Sequence, residues 1–270
     1  MNLPISWPMT IDLSGRVAVV TGASEGIGAA TVRALAAHGA QVAFCSRSAG
    51  NGEALAGGLS GLPGSGHPYV ADMSDAAAVN TFLDAVEADL GPADILVNNV
   101  GASPSRNFLH MTDADWTGLF ELNLMSAVRC TRRMLPAMRK TGWGRVVMVA
   151  TAGAKYPNPA LVDYAASKAA MVATACALAK KYAADGVLVN SVLPGLIRTS
   201  MWERTAAEVA SATGTSAEAV FAQRGANVPV RRYGSPDEVA AAILFLSSQY
   251  AGYVNGAAIE VDGGLGAGMY

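Results

Sequence analysis

Apolar positions fall along this chain in two alternating rhythms. Short continuous runs rich in β-branched residues alternate with longer stretches whose apolar positions lie three and four apart, the spacing of one helix face. Val17–Thr21 is the first run and reads as a strand buried on both faces. Helical spacing follows over Ala29–His38, closed by Gly39, and Gln41–Ser46 is a second strand. Glu53–Leu59 reads as a short helix and Pro68–Ala71 as the third strand. Asp75–Leu90 has helical spacing and meets a stop at Gly91-Pro92, before the fourth strand, Ile95–Asn98. Thr112 or Asp113 caps a long helix running to about Lys140, and Thr141-Gly142 breaks it. Arg145–Ala150 is the fifth strand, Leu161–Ala184 a long, nearly all-apolar helix, and Val187–Leu193 the sixth strand. Ser200–Arg224 is helical but irregular. Ser235-Pro236-Asp237-Glu238 sets Ser at the N-cap, Pro first in the helix and Glu third, opening a helix to about Ser248. Ala258–Val261 is a last strand. Strict alternation of strand and helix predicts an α/β fold: one doubly wound, mostly parallel sheet of seven strands, in a single domain over residues 1–270.

Composition narrows the function classes. Of 270 residues, 51% are hydrophobic and 15% charged, too apolar for disorder and consistent with a buried interface between copies. The net charge is -2 and the Lys/Arg groups are short pairs, which argues against a nucleic-acid surface. No run is long and apolar enough for a membrane span, and Met1–Asp12 lacks the pattern of a signal peptide, so a cytoplasmic protein is expected. Cys45, Cys130 and Cys176 sit in apolar contexts and read as free thiols. His38, His67 and His110 show no metal-ligand spacing, so no metal is expected.

The chemistry concentrates at strand ends. Gly22, Gly26 and Gly28 join the first strand to the first helix. A tight exit, a close backbone approach and a helix N-terminus together suit a pyrophosphate, hence a dinucleotide. At the end of the second strand stand Ser46 and Arg47. An Asp there would bind the ribose hydroxyls and repel a 2′-phosphate, whereas a neutral residue followed by a guanidinium favours that phosphate. NADP(H) is therefore the expected cofactor, with NAD(H) as the alternative; Glu25 in the turn weakens that choice, either by repelling the phosphate or by pairing with Arg47. Tyr164 and Lys168 are four apart and share one helix face. An ammonium near a phenol favours the phenolate and makes an acid-base group effective nearer neutrality. Such a pair also arises by chance, and the surrounding strand-helix pattern is what gives it weight.

These motifs resemble the short-chain dehydrogenases/reductases, in their compact subtype, from about Leu13 to Gly264. The resemblance rests on Thr21-Gly22-x-x-x-Gly26-Ile27-Gly28, Asn98-Asn99-Val100-Gly101 (Val where Ala is usual), Asp72, Tyr164-x-x-x-Lys168, Pro194-Gly195-Leu196-Ile197-Arg198-Thr199 and Asp262-Gly263-Gly264. It implies a Rossmann fold. It also sets Ser24, Glu25, Ile27, Met73, Asn99, Gly101, Pro194, Gly195, Ile197 and Thr199 at the cofactor, beside Gly22, Gly26, Gly28, Ser46, Arg47, Asp72, Tyr164 and Lys168. Two more site residues are implied: Asn123, and a Ser usually twelve or thirteen positions before the Tyr. Here Thr151 is the hydroxyl in that segment, with Ala152 in the other register.

The implied reaction is hydride transfer between NADP(H) and a carbonyl or secondary alcohol. In it Tyr164 is the general acid/base, Lys168 lowers its pKa, Thr151 steadies the substrate oxygen and Asn123 supports a proton relay. Residues 199–230 are expected to form a lid. Arg106 is expected either to meet an anion or to lie solvated. The resemblance further implies a homodimer or homotetramer joined through the helices 113–140 and 161–184. A catalytically idle NADP(H) sensor or scaffold is the alternative that the Ser-to-Thr change would favour. The substrates of such proteins range over acyl-carrier thioesters, sugars, steroids and polyols.

Overall fold

The computed structural model describes residues 9–266, so Met1–Pro8 of the expected N-terminal extension lie outside the described residues. Seven strands form one sheet: β1 (Val17–Val20), β2 (Gln41–Ser46), β3 (Ser65–Val70), β4 (Ile95–Asn98), β5 (Gly144–Val149), β6 (Val187–Pro194) and β7 (Ala258–Val261). Their order is β3-β2-β1-β4-β5-β6-β7 and every pairing is parallel. The expected Rossmann sheet is observed, with its order reversing between β1 and β4.

Parallel strands need crossover helices, and these bury both faces of the sheet. Alternation along each strand serves two cores. Val17 and Val19 of β1, Ala43 and Cys45 of β2 and Leu96 of β4 point into one. That layer is closed by α3 (Ala76–Leu90), α5 (Ser126–Thr141) and α6 (Val162–Tyr182), through Phe82, Met134 and Met171 among others. Ala18, Val20, Val42, Phe44, Ile95 and Val97 point into the other. It is closed by α1 (Gly26–Ala37), α2 (Ala49–Gly57) and α9 (Pro236–Ser247), through Val32, Leu35, Leu55 and Ile243. Fully burying one such side chain contributes about 1.5–3 kcal/mol. Cys45 and Cys130 are buried among these groups and Cys176 is half-buried; burial pushes the first two thiols up, to about 11 and about 12.

Local signals account for most boundaries. Ser235 accepts from the Glu238 N–H while Glu238 reaches back to the Ser235 N–H, with Pro236 first in α9. Thr112 and Asp115 form the same reciprocal cap on α4 (Asp113–Phe120). Four expectations change. β3 begins three residues early, because an edge strand tolerates Gly66 and Pro68. α2 begins at Ala49 rather than Glu53. The long helix after β4 is not regular: Glu121–Met125 is a π-helical turn between α4 and α5. The irregular segment after β6 is two helices, α7 (Ser200–Thr213) and α8 (Ala217–Gly225), separated at Gly214, which has a left-handed φ of 68°. These two pack on a small core of their own, with Ala206, Ala210, Val220, Phe221 and Tyr233. Among the described residues no helix is long and apolar enough to cross a membrane.

Candidate active site

Parallel pairing brings the C-terminal ends of β1, β2, β4, β5 and β6 to one rim. A cleft of about 390 Å³ opens there at the switch point, lined by Gly22, Ser24, Glu25, Gly26, Ile27, Gly28, Ser46, Arg47, Asp72, Met73, Asn99 and Gly101. Ile27, Asn99, Gly101, Ala102, Thr199 and Met201 also line a second pocket of about 170 Å³, so the two share a wall. The second pocket holds Thr151, Tyr164, Lys168, Pro194, Gly195 and Ile197. The residues singled out from sequence thus line two adjoining cavities, except Asn123, which lies behind the wall.

The glycine turn is tight for two reasons. Gly22 has φ +64°, and a Cβ there would lie 2.7 Å from a Val100 methyl. A Cβ on Gly28 would lie 2.6 Å from the Gly22 carbonyl oxygen. Asn99 locks the turn: its amide Nδ2 donates to the carbonyls of Thr21, at 3.0 Å, and Gly22, at 2.7 Å. The N-cap of α1 is Glu25, extended and making no side-chain cap, so the first N–H groups of the helix face the cleft without a protein anion. A negatively charged group fits that end of the helix.

At the β2 end, Ser46 Oγ donates to the Ser48 carbonyl at 2.6 Å and its lone pairs remain. Among the described residues Arg47 has no carboxylate within 4.0 Å. Of the two alternatives for Glu25, pairing with Arg47 is absent among the described residues: Glu25 lies 3.6 Å from Arg204 of α7. Asp72 accepts from the Ser74 hydroxyl and N–H, which hold its carboxyl below the usual range, with Arg47 adding to the effect. Met73 reaches the cleft wall from the core, where it is 2% exposed.

Around Tyr164 the charges differ from expectation. Lys168 is 2% exposed; its Nζ donates to the Val149 carbonyl at 2.9 Å and lies 3.4 Å from that of Val100. Burial pulls this ammonium down to about 8. Burial also pushes the Tyr164 phenol above its ordinary value, and the Thr151 hydroxyl pulls it partly back. The expected lowering of the phenol by Lys168 is therefore not found: burial dominates the phenol, and the ammonium is turned to the carbonyls of Val149 in β5 and Val100 in the loop after β4. Thr151 follows β5, and its Oγ1 accepts from the Gly153 N–H at 3.2 Å, leaving the hydroxyl hydrogen to donate.

Asn123 sits in the π-helical turn and is fully buried. Its Oδ1 accepts from the Ala102 N–H at 2.9 Å, and its Nδ2 donates to the Ala102 carbonyl at 3.1 Å and Ser167 Oγ at 3.0 Å. Ser167 Oγ donates in turn to the Tyr164 carbonyl at 2.8 Å. Asn123 therefore clamps the loop after β4 to α6. Sequence reasoning does not single out Ser167, whose importance rests on a partner 44 residues away. Arg106 also departs from expectation, since it neither faces an anion site nor lies solvated: it pairs with Asp163 at 2.9 Å. Among the described residues no group of three His, Cys, Asp or Glu is placed to hold a metal ion.

A doubly wound sheet and a glycine turn at its switch point, with a Tyr–Lys pair in the adjoining pocket, define a Rossmann-type nucleotide-binding class. Within that class the family can be stated. The family model described as short chain dehydrogenase matches residues 16–210, and the chain belongs to this family. It is thus an NAD(P)-dependent oxidoreductase acting on C=O or CH–OH groups. The 3-oxoacyl-acyl-carrier-protein reductase of Thermotoga maritima is 36% identical over 253 residues, covering 94% of this chain and 98% of that protein. Nodulation protein G of Azospirillum brasilense is 35% identical over 256 residues, covering 94% and 99%. Among solved structures, L-sorbose reductase from Gluconobacter frateurii, in complex with NADPH and L-sorbose, superposes with a TM-score of 0.94 at 32% identity, covering 97% of this chain and 100% of that one.

Proposed function

We propose that this protein is an NADPH-dependent carbonyl reductase, reversible as an alcohol dehydrogenase, with Tyr164 as its proton donor and acceptor. The observation that carries the reading is the single pocket in which Thr151, Tyr164 and Lys168 converge, walled off from the glycine cleft by shared residues. The cleft fits a dinucleotide phosphate: the first turn of α1 carries no acidic residue, the glycine cradle has no room for side chains, and among the described residues Arg47 has no carboxylate within 4.0 Å. Ser46 and Arg47 meet the 2′-phosphate, Asp72 and Met73 flank the adenine, and Lys168 and Tyr164 hold the nicotinamide ribose. Ile197, Thr199 and the Pro194-Gly195 segment fix the ring. When bound, the nicotinamide supplies or accepts the hydride.

The chain's own groups do the rest. Thr151 donates a hydrogen bond to the substrate oxygen, and Tyr164 delivers its proton to that oxygen as charge develops. A phenol held protonated by burial suits the reductive direction. Lys168 acts through charge and hydrogen bonding, and Asn123 holds the loop and helix that carry the wall and the phenol. Residues 199–230 act as a lid, supported by the separate core of α7 and α8 and by the Glu25–Arg204 contact with the glycine turn. Thr151 keeps the hydroxyl chemistry of the usual Ser, so the idle-sensor alternative gains nothing from this site. NADPH in the L-sorbose reductase complex supports the cofactor choice.

The test is NADPH consumption with L-sorbose and with an acetoacetyl thioester of N-acetylcysteamine, the two substrate classes that the relatives' names define. At least one is reduced, with a higher kcat/KM for NADPH than for NADH. A preference for NADH overturns the cofactor assignment, and Arg47→Ala lowers kcat/KM for NADPH selectively.

A further inference from the structure

The loop over residues 101–107 forms one wall of the Tyr164 pocket through Gly101, Ala102 and Ser103. Its Arg106 points away from the pocket. Nη1 donates to Asp163 Oδ2 at 2.9 Å, and Nε lies 3.4 Å from Asp115 Oδ1 in the first turn of α4. The Asp163 side chain is 0% exposed. It stands second in α6, immediately before Tyr164, and its Oδ1 accepts the Tyr164 N–H at 2.8 Å. The N-cap of α6, Leu161, has no side chain able to cap, so a buried carboxylate takes that place and also favours the positive end of the helix. One carboxylate therefore joins the substrate-side wall, through Arg106, to the backbone of the residue bearing the phenol.

Neither partner is among the residues that line the pocket. Stability alone is a weak explanation for the pair. Exposed ion pairs contribute little, and a buried pair offsets its desolvation poorly compared with apolar residues of the same volume. What such a pair does fix is geometry. We propose that Arg106 and Asp163 are positioning residues for the reaction, holding the 101–107 wall and Tyr164 in register so that carbonyl and phenol meet at hydrogen-bond distance. The proposal rests on Tyr164 being the proton donor.

The test is a double-variant cycle in the full chain, on whichever of L-sorbose and the acetoacetyl thioester the wild type reduces. Arg106→Gln and Asp163→Asn each lower kcat by about tenfold or more, while NADPH affinity, read by fluorescence quenching, stays within about twofold. The combined Arg106→Gln/Asp163→Asn variant leaves no buried unpaired charge and restores a neutral hydrogen-bonded pair, so its kcat exceeds that of either single variant. Arg106→Lys restores part of the rate lost in Arg106→Gln. The proposal is overturned by single variants with kcat within about twofold of wild type, by losses that simply multiply in the combined variant, or by an equal loss of NADPH affinity, which marks a general folding role. If Asp163→Asn does not fold, the two Arg106 variants decide alone: without a kcat loss in Arg106→Gln and rescue in Arg106→Lys, the proposal falls. Tyr164→Phe is measured alongside, since an active Phe variant overturns the proton-donor reading whatever the pair does.

Discussion

At the scale of single residues, the site works through burial. Desolvation disfavours whichever form of a group is charged, so it moves Tyr164 up and Lys168 down. A phenol raised in this way stays protonated through neutrality. The rate of carbonyl reduction is therefore flat between about pH 6 and pH 8, whereas alcohol oxidation, which needs a proton acceptor, rises with pH. Lys168 keeps its charge below about 8. KM for NADPH is thus constant on the acid side of that value and rises above it. For stability the sign is also fixed. The folded value of about 8 lies below the ordinary lysine value of 10.5, so the unfolded chain binds more protons between them, and the contribution of Lys168 to stability rises with pH across that window. A pH series of steady-state rates in both directions checks these outcomes. A reduction rate that falls steeply between pH 6 and 8 contradicts the assignment of a buried, protonated phenol.

At the scale of elements, the π-helical turn is the feature that places Asn123. A regular helix over 113–140 would not leave the same opening in its hydrogen-bond ladder, and such turns often lie at functional sites. Asn123→Ala removes a clamp on Ala102 and Ser167. It is expected to lower stability by about 1–3 kcal/mol and kcat by up to about a hundredfold, read by thermal unfolding and by turnover. A variant with wild-type rate and stability contradicts the clamp. The turn was not legible in the sequence, because Glu121-Leu122-Asn123-Leu124-Met125 contains no Gly or Pro and keeps helical spacing. Strands β1, β2 and β4 were legible because each is built on a continuous apolar run, β6 because apolar residues flank Asn190-Ser191 on both sides, and α9 because its cap residues are local. The start of β3 was hidden by Gly66 and Pro68, whose tolerance depends on an edge position. The convergence of strand ends was legible from alternation alone. The Arg106–Asp163 pair and the partners of Lys168 were not, since each joins residues far apart in sequence.

At the scale of the whole molecule, one face of α6 stays unmatched within a single chain. Asp163, Ala165, Lys168, Met171, Ala175 and Ala179 are buried, whereas Ala173 and Ala177 are exposed and Val172 and Cys176 half-buried. Small apolar residues on an outward stripe suit close helix packing against a second copy. We propose a homodimer or homotetramer joined through the helices over 113–140 and α6; light scattering should then give a particle of at least two chains at micromolar concentration, and a monomer contradicts it. The lid proposed over 199–230 belongs to the same scale, because α7 and α8 carry their own core while Glu25 lies 3.6 Å from Arg204.

The central claim is that the Tyr164 hydroxyl moves the proton during hydride transfer. Tyr164→Phe keeps the ring and removes only that group. NADPH consumption with the accepted carbonyl should fall by about 10²–10⁴-fold while the NADPH dissociation constant rises by no more than about tenfold, the loss of one hydrogen bond to the ribose. A Phe variant that retains a rate within about tenfold of wild type would contradict the account.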